Sequence, residues 1–200
     1  VYTGSWDGYY YALDEQTGRT VWAYAKEGID YRWGGGPDSA AAILWKGNLL
    51  GRIVPNTLVA LDQDTGKEKW RFNDPTRPKK GMNATASASG NNVFISTTID
   101  HDGMPCGARL FCLDDQTGKI NWHYTGAGGW TGSACTPDSV ICGSSTDVFI
   151  SCLATEPNPD GTPNLLWRTR VDGIFHESIP AIHGDRAFIL CADGYLYAFE

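Results

Sequence analysis

The residues best suited to chemistry fall in four glycine- and proline-bearing connecting stretches. They are Arg32 and Trp33 in 28–38, Arg77, Lys79, Lys80 and Asn83 in 73–83, Trp130 in 125–130, and His176 with Glu177 in 172–177. Indole faces beside cations suit a planar or anionic ligand, or an extended peptide. The plainer role for the same residues is that Trp33 and Trp130 cover grooves between packed elements while the lysines are solvated. Other chemistries find little support. The four histidines, at 101, 123, 176 and 183, are scattered. His176 and Glu177 are adjacent, so on an extended strand they would point to opposite faces. Gly34-Gly35-Gly36 lacks the Lys-Ser/Thr ending and the following helix of a phosphate loop. Asp100, Asp102 and Gly103, like Asp160 and Gly161, supply too few spaced oxygens for calcium and read as turns. No nucleophile elbow anchors a hydrolytic triad. The sequence therefore assigns no catalytic residue and no metal ligand.

The elements that hold these stretches are legible from an internal repeat. Ala12, Asp14, Thr17, Gly18 and Trp22 recur as Ala60, Asp62, Thr65, Gly66 and Trp70, and again as Cys112, Asp114, Thr117, Gly118 and Trp122. A weaker copy ends at Trp167, and a further one runs from Ala187 to Glu200. A tryptophan returning every ~45–50 residues is the period of a four-stranded propeller blade. Within the frame an alternating strand ends at Leu13-Asp14, and Asp14 and Thr17 can bond turn amides. Gly18 can take the positive φ such a turn needs. Trp22 opens the next strand as a flat hydrophobe expected to cross to the neighbouring blade, with the small Ala12 leaving room for it.

Composition agrees. The chain has 24 Gly, 8 Trp and 9 Tyr, with short apolar runs and no long helical pattern, which points to an all-β protein. A formal net charge of −7 argues against nucleic acid or an anionic membrane surface as the main partner. No run approaches the ~18 apolar residues of a membrane span. The chain opens directly on a strand pattern, Val1 to Ser5, rather than on a leader. None of the six cysteines forms a C-x-x-C pair, so zinc and haem c are unsupported. Cys112 and Cys152 fall where the other copies have Ala12 and Ala60, and read as small buried core residues. Cys135 and Cys142 flank a turn near Pro137-Asp138 as diagonal neighbours on one face, a weaker case for a disulfide.

The Ala-x-Asp-x-x-Thr-Gly-Lys-x-x-Trp frame resembles the tryptophan-docking motif of the quinoprotein alcohol dehydrogenase-like, pyrroloquinoline-quinone-like β-propellers. It matches at Ala12 to Trp22, Ala60 to Trp70 and Cys112 to Trp122, and is degraded in the fourth copy by the insertion Pro157 to Pro163. The resemblance implies four-stranded antiparallel blades, about four and a half of them, in a ring of about seven or eight. The blades are expected as 1–24 (partial), 39–72, 84–124, 132–170 and 177–200 (partial). Strands are expected at 40–43, 49–52, 57–61 and 67–72, then 85–89, 92–97, 109–113 and 119–124, then 132–136, 140–143, 148–153 and 165–170. Asp7-Gly8 aligns with Asp193-Gly194, so second and third strands are expected at both ends, as in a segment of a longer ring or a ring completed by another chain.

The resemblance implies two classes of function. One is a non-catalytic binding or scaffolding propeller that holds a protein partner or ligand through the four loops at the channel mouth, with a protein or the remaining blades of the ring as its partner and no cofactor. The other is a quinone-dependent alcohol or sugar dehydrogenase, which would need pyrroloquinoline quinone, calcium and an Asp base, with Trp130 as a stacking ring and Asn83 as a metal ligand. The adjacent cysteines common in such enzymes are absent here. The resemblance also implies an extracytoplasmic location. The scaffold is the expectation carried forward.

Overall fold

The computed structural model describes residues 1–5, 7–25, 42–53, 57–75, 84–101 and 104–200. The fold is all-β, and no helix occurs among the described residues. Five antiparallel sheets follow one another along the chain. The first holds β1 (Tyr2–Gly4), β2 (Tyr9–Leu13) and β3 (Thr20–Ala25). The second holds β4 (Ile43–Trp45), β5 (Asn48–Ile53), β6 (Thr57–Asp62) and β7 (Glu68–Asn73). The third holds β8 (Ser87–Ser89), β9 (Asn92–His101), β10 (Met104–Asp114) and β11 (Ile120–Thr125). The fourth holds β12 (Ser133–Cys135), β13 (Ser139–Gly143), β14 (Phe149–Ala154) and β15 (Leu165–Arg170). The last holds β16 (Ala181–His183), β17 (Arg186–Leu190) and β18 (Leu196–Phe199). Strand order within every sheet is sequence order, the meander of a propeller blade.

The middle sheets carry apolar residues on both faces, because each is sandwiched between two neighbours, whereas strands of the first and last sheets alternate buried and exposed residues. Leu58, Val59, Ala60 and Leu61 are all buried along β6, and Leu110 to Leu113 along β10. The clusters run across sheets. Leu50, Leu58 and Trp70 of the second sheet pack with Val93, Ile95 and Phe111 of the third.

The repeat frame is a hydrogen-bonded device built three times. The Asp62 carboxylate accepts the Thr65 amide at 2.9 Å and its hydroxyl at 2.8 Å. Asp14 accepts the same pair from Thr17 at 2.8 and 2.7 Å, and Asp114 from Thr117 at 2.8 and 2.6 Å. The next glycine closes the turn at φ 68–69° in all three copies. Each tryptophan sits opposite the small residue of its own hairpin, as Trp22 does to Ala12 and Trp70 to Ala60. Its indole reaches the following sheet. Trp22 Nε1 donates to the Gln63 carbonyl at 3.0 Å, and Trp70 Nε1 to that of Asp115 at 3.0 Å. The room for the ring comes from the next sheet's glycine as well. A Cβ on Gly66 would lie 2.6 Å from Trp22, and one on Gly118 would lie 2.5 Å from Trp70.

Two expectations shift. The inner strand expected at 40–43 is found at Ile43–Trp45, with 40 and 41 outside the described residues. The second and third strands of the third sheet run well past Thr97 and back from Met104, pairing out to Met104 opposite His101 with an irregularity between Pro105 and Gly107. The run Thr97-Thr98-Ile99 has the β-branched chemistry that favours this extension. The first sheet aligns with strands two to four of the others and the last with strands one to three, as the Asp7 and Asp193 turns imply. Tyr9 N bonds Asp7 Oδ1 at 3.1 Å and Tyr11 bonds its Oδ2 at 2.6 Å; Tyr195 and Tyr197 repeat this on Asp193 at 3.0 and 2.7 Å.

Cys112, Cys142, Cys152 and Cys191 are buried free thiols, and Cys135 is free and half-buried. Ser133 faces Cys142 and Cys135 faces Val140, so Cys135 and Cys142 are diagonal neighbours that form no disulfide. Burial pushes the Cys112 and Cys142 thiols up to about 12.

Candidate functional site

Arg32, Trp33, Arg77, Lys79, Lys80 and Asn83 lie outside the described residues. Trp130, His176 and Glu177 are described, and two connecting loops bring them together. One loop runs from β11 to β12, the other from β15 to β16, each from the outer strand of one sheet to the inner strand of the next. Such connections surround the channel mouth of a propeller.

The first loop lies tight against two sheets. Gly128 N donates to the Gly143 carbonyl at 2.7 Å, and the Gly128 carbonyl accepts from Ser145 N at 3.0 Å. A Cβ at Gly128 would lie 2.4 Å from Ser96 Cβ, and one at Gly129 would lie 2.1 Å from Ser145 Oγ. Only glycine permits that approach, and both residues have positive φ. Ser145 Oγ then accepts the Trp130 amide at 3.0 Å, and Ser96 Oγ donates to the Thr131 carbonyl at 2.6 Å. The backbone on both sides of Trp130 is thereby fixed.

The second loop is anchored by Phe175. Its ring is fully buried over Gly143, where a Cβ would lie 2.5 Å away, and its amide donates to the Ser144 carbonyl at 2.9 Å. The two loops are zipped together at Ser178, whose carbonyl accepts from the Thr131 hydroxyl and from Gly132 N at 3.2 Å. His176 meets Trp130 edge to face, with centroids 4.9 Å apart at 81°. Glu177 stands between His176 and Ser178 at φ 52°, a left-handed turn rather than an extended strand. Strand alternation therefore does not separate His176 from Glu177.

Trp130 is half-buried, and His176 and Glu177 are exposed. Among the described residues no acceptor takes the Trp130 indole N–H, and no cation pairs with the Glu177 carboxylate. The nearby Arg168 is engaged, 3.1 Å from Asp147 and stacked 3.8 Å over the Phe149 ring. A buried link supports the same face beside the third sheet. Asp74 accepts from Thr97 Oγ1 at 2.8 Å and faces Arg109 at 3.8 Å.

Sequence reasoning singled out Trp130, His176 and Glu177 but not the residues that fix them. Ser96, Ser145, Thr131, Ser178 and Phe175 are ordinary types in ordinary positions, and their partners are far along the chain. The Gly128-Gly129 pair ahead of an aromatic was the one local signal. The described residues contain no group of three or more His, Cys, Asp or Glu side chains placed to hold a metal ion. No helix among them is long and apolar enough to cross a membrane.

Comparison with known proteins follows the fold. A family model described as outer membrane protein assembly factor BamB matches residues 6–73. The chain is 26% identical over 171 residues to a quinohemoprotein alcohol dehydrogenase of Comamonas testosteroni, a match covering 62% of this chain and 24% of that enzyme. It is 26% identical over 204 residues to the assembly factor BamB of Legionella pneumophila, covering 98% of this chain and 47% of the relative. It therefore spans less than half the length of either relative. The crystal structure of BamB from Moraxella catarrhalis superposes with a TM-score of 0.68 at 22% identity, over 99% of this chain and 54% of that one. With its three-fold Asp-Thr-Gly-Trp frame and its meander sheets, the chain is a series of β-propeller blades similar to those of the pyrroloquinoline-quinone-like repeat family.

Proposed function

We propose that these blades form part of a non-catalytic binding propeller that holds a protein partner at the channel mouth. The observation that carries this reading is the zipped loop pair. Glycines that admit no side chain and buried hydroxyl bonds hold the backbone of Trp130, His176 and Glu177 in place, while the Trp130 N–H and the Glu177 carboxylate have no partner among the described residues. A rigid, partly exposed aromatic with polar neighbours is the anatomy of a recognition hot spot. The likeness to assembly factors of the outer membrane supports it, as does the extracytoplasmic location that likeness suggests.

Site-specific photo-crosslinking in the full-length protein tests it. A photoreactive residue at Trp130 should capture a discrete protein in the cell envelope, identifiable by mass spectrometry. The same residue at Lys119, in the turn on the opposite face, should not. Equal capture at both positions, or none at Trp130, would remove the reading.

The second reading is a quinone-dependent alcohol or sugar dehydrogenase, favoured by the likeness to the Comamonas enzyme. Trp130 would then be the ring on which a quinone stacks. Asn83, which lies outside the described residues, would then be a calcium ligand. Dye-linked oxidation of an alcohol or sugar by the full-length protein, dependent on added pyrroloquinoline quinone and calcium, would establish this reading in place of the first.

A further inference from the structure

We propose that the mouth site recognises a cationic side chain, lysine or arginine, on an extended segment of the partner; this rests on the binding reading above. Three observations converge. The first is chemical type: an indole and a carboxylate are together the pair of groups that attract a cation, the ring through its quadrupole and the carboxylate through its charge. The second is placement. Both flanks of Glu177 are tied to the flank of Trp130. His176 packs on the Trp130 ring at 4.9 Å, and the Ser178 carbonyl is bonded by Thr131 and Gly132. The Glu177 backbone is thus held one residue away on either side from contacts to the Trp130 segment. The third is availability. Among the described residues the Glu177 carboxylate has no ion-pair partner, and Arg168, on the strand that leads into its loop, is committed to Asp147 and to the Phe149 ring.

The chain bears a net charge of −7, so a basic segment is drawn toward it and an acidic one repelled. Glu177 holds a left-handed φ that a side-chain-bearing residue adopts only at an energetic cost. Phe175 below and the Ser178 zipper above impose that turn. The backbone strain places a carboxylate, rather than a glycine, at the rim.

The test uses three capped pentapeptides of alanine with lysine, norleucine or glutamate at positions two and four, titrated into the protein and followed by the Trp130 and His176 resonances. The lysine peptide should bind, and norleucine and glutamate should not. Glu177→Gln should weaken the lysine peptide about fivefold, and so should Trp130→Leu. Glu156→Gln, on the opposite face, should change nothing. Thermal melts confirm that each variant folds. Equal binding of the lysine and norleucine peptides, preference for glutamate, or an unchanged affinity in Glu177→Gln would overturn the cation inference. If photo-crosslinking at Trp130 nevertheless captures a protein, the binding reading stands and only the cation inference fails. If no peptide binds and nothing is captured, both fall.

Discussion

The contacts among the first four sheets come in two kinds. Between the first and second sheets, and between the second and third, an indole lies on a glycine of the next Thr-Gly turn and donates to a carbonyl beside it. Between the third and fourth, the frame turn is replaced by the insertion 157–163. Trp122 still donates to a carbonyl, that of Thr155 at 3.2 Å, but no glycine lies beneath it. The polar bridge at this contact also differs from the one that Trp45 and Lys46 make to Asp115 between the second and third sheets. Asn92 is buried, donates to the Thr155 carbonyl at 3.4 Å and to Glu156 at 3.3 Å, and accepts from Asn121 at 3.0 Å. The difference teaches which part of the repeat is indispensable. The indole-to-carbonyl bond survives the insertion, so satisfying the buried N–H is the constraint that these three interfaces share. The glycine is needed only where the turn itself comes up against the ring.

The largest effect should come from filling the glycine. Gly66→Ala places a Cβ 2.6 Å from the Trp22 ring at a φ of 69°, whereas Gly18→Ala meets the same kind of turn, at 68°, with nothing within 4 Å. Gly18→Ala should cost about 1 kcal/mol, the left-handed strain alone. Gly66→Ala should cost about 3 kcal/mol, the same strain plus overpacking against the indole. Urea unfolding of both variants measures the difference. Equal losses would mean that the indole contributes little to the interface and that the turn alone explains the repeat.

A smaller effect should mark the other kind of contact. Asn92→Ala removes the donor to Thr155 and Glu156 and leaves Asn121 without its acceptor. It should cost about 1–2 kcal/mol. A double-mutant cycle with Trp122→Phe, which removes the indole N–H, should show coupling, because both side chains bond the Thr155 carbonyl. Strict additivity would show that the polar bridge does not substitute for the missing glycine.

The repeat was legible because it is local. Asp62, Thr65, Gly66 and Trp70 lie within nine residues, and three copies of one spacing disclose a turn, a strand and a blade period. What the tryptophan touches was only half legible. That Trp22 crosses to the next sheet follows from its size, but its partners Gly66 and Gln63 are some forty residues away. The site was legible as residue types and not as geometry. Nothing in Ser96 or Ser178 advertises that it clamps the Trp130 loop, since those bonds join residues 35 and 47 apart. Adjacency misled at His176-Glu177, where strand alternation was the wrong frame because Phe175 and Ser178 bend the chain. The long β9–β10 hairpin was cut short because its pairing continues through Asp100 and Pro105, residue types that usually end strands.

The smallest effect separates the frame turn from the insertion by acid. Hydrogen bonds from Thr65 and then from Lys69, 3.1 Å away, hold the Asp62 carboxyl down to about 2. In the insertion, Asp160 is lowered by its bonds to Thr162, without a lysine. A carboxyl lowered in the folded state stabilises it above its unfolded value, near 3.8, and that contribution is lost as pH falls through about 2. Melting temperature measured from pH 5 to pH 2 should therefore fall more steeply for the native chain than for Asp62→Asn, which cannot titrate there. Added salt should reduce the part that comes from Lys69 and spare the part that comes from Thr65. The Asp160→Asn curve should differ from the native one by less, and its difference should not respond to salt. Parallel curves for the native chain and Asp62→Asn would mean that the exposed Asp-Thr turn forms equally well with a neutral side chain, leaving shape rather than charge as the reason for the aspartate in the repeat.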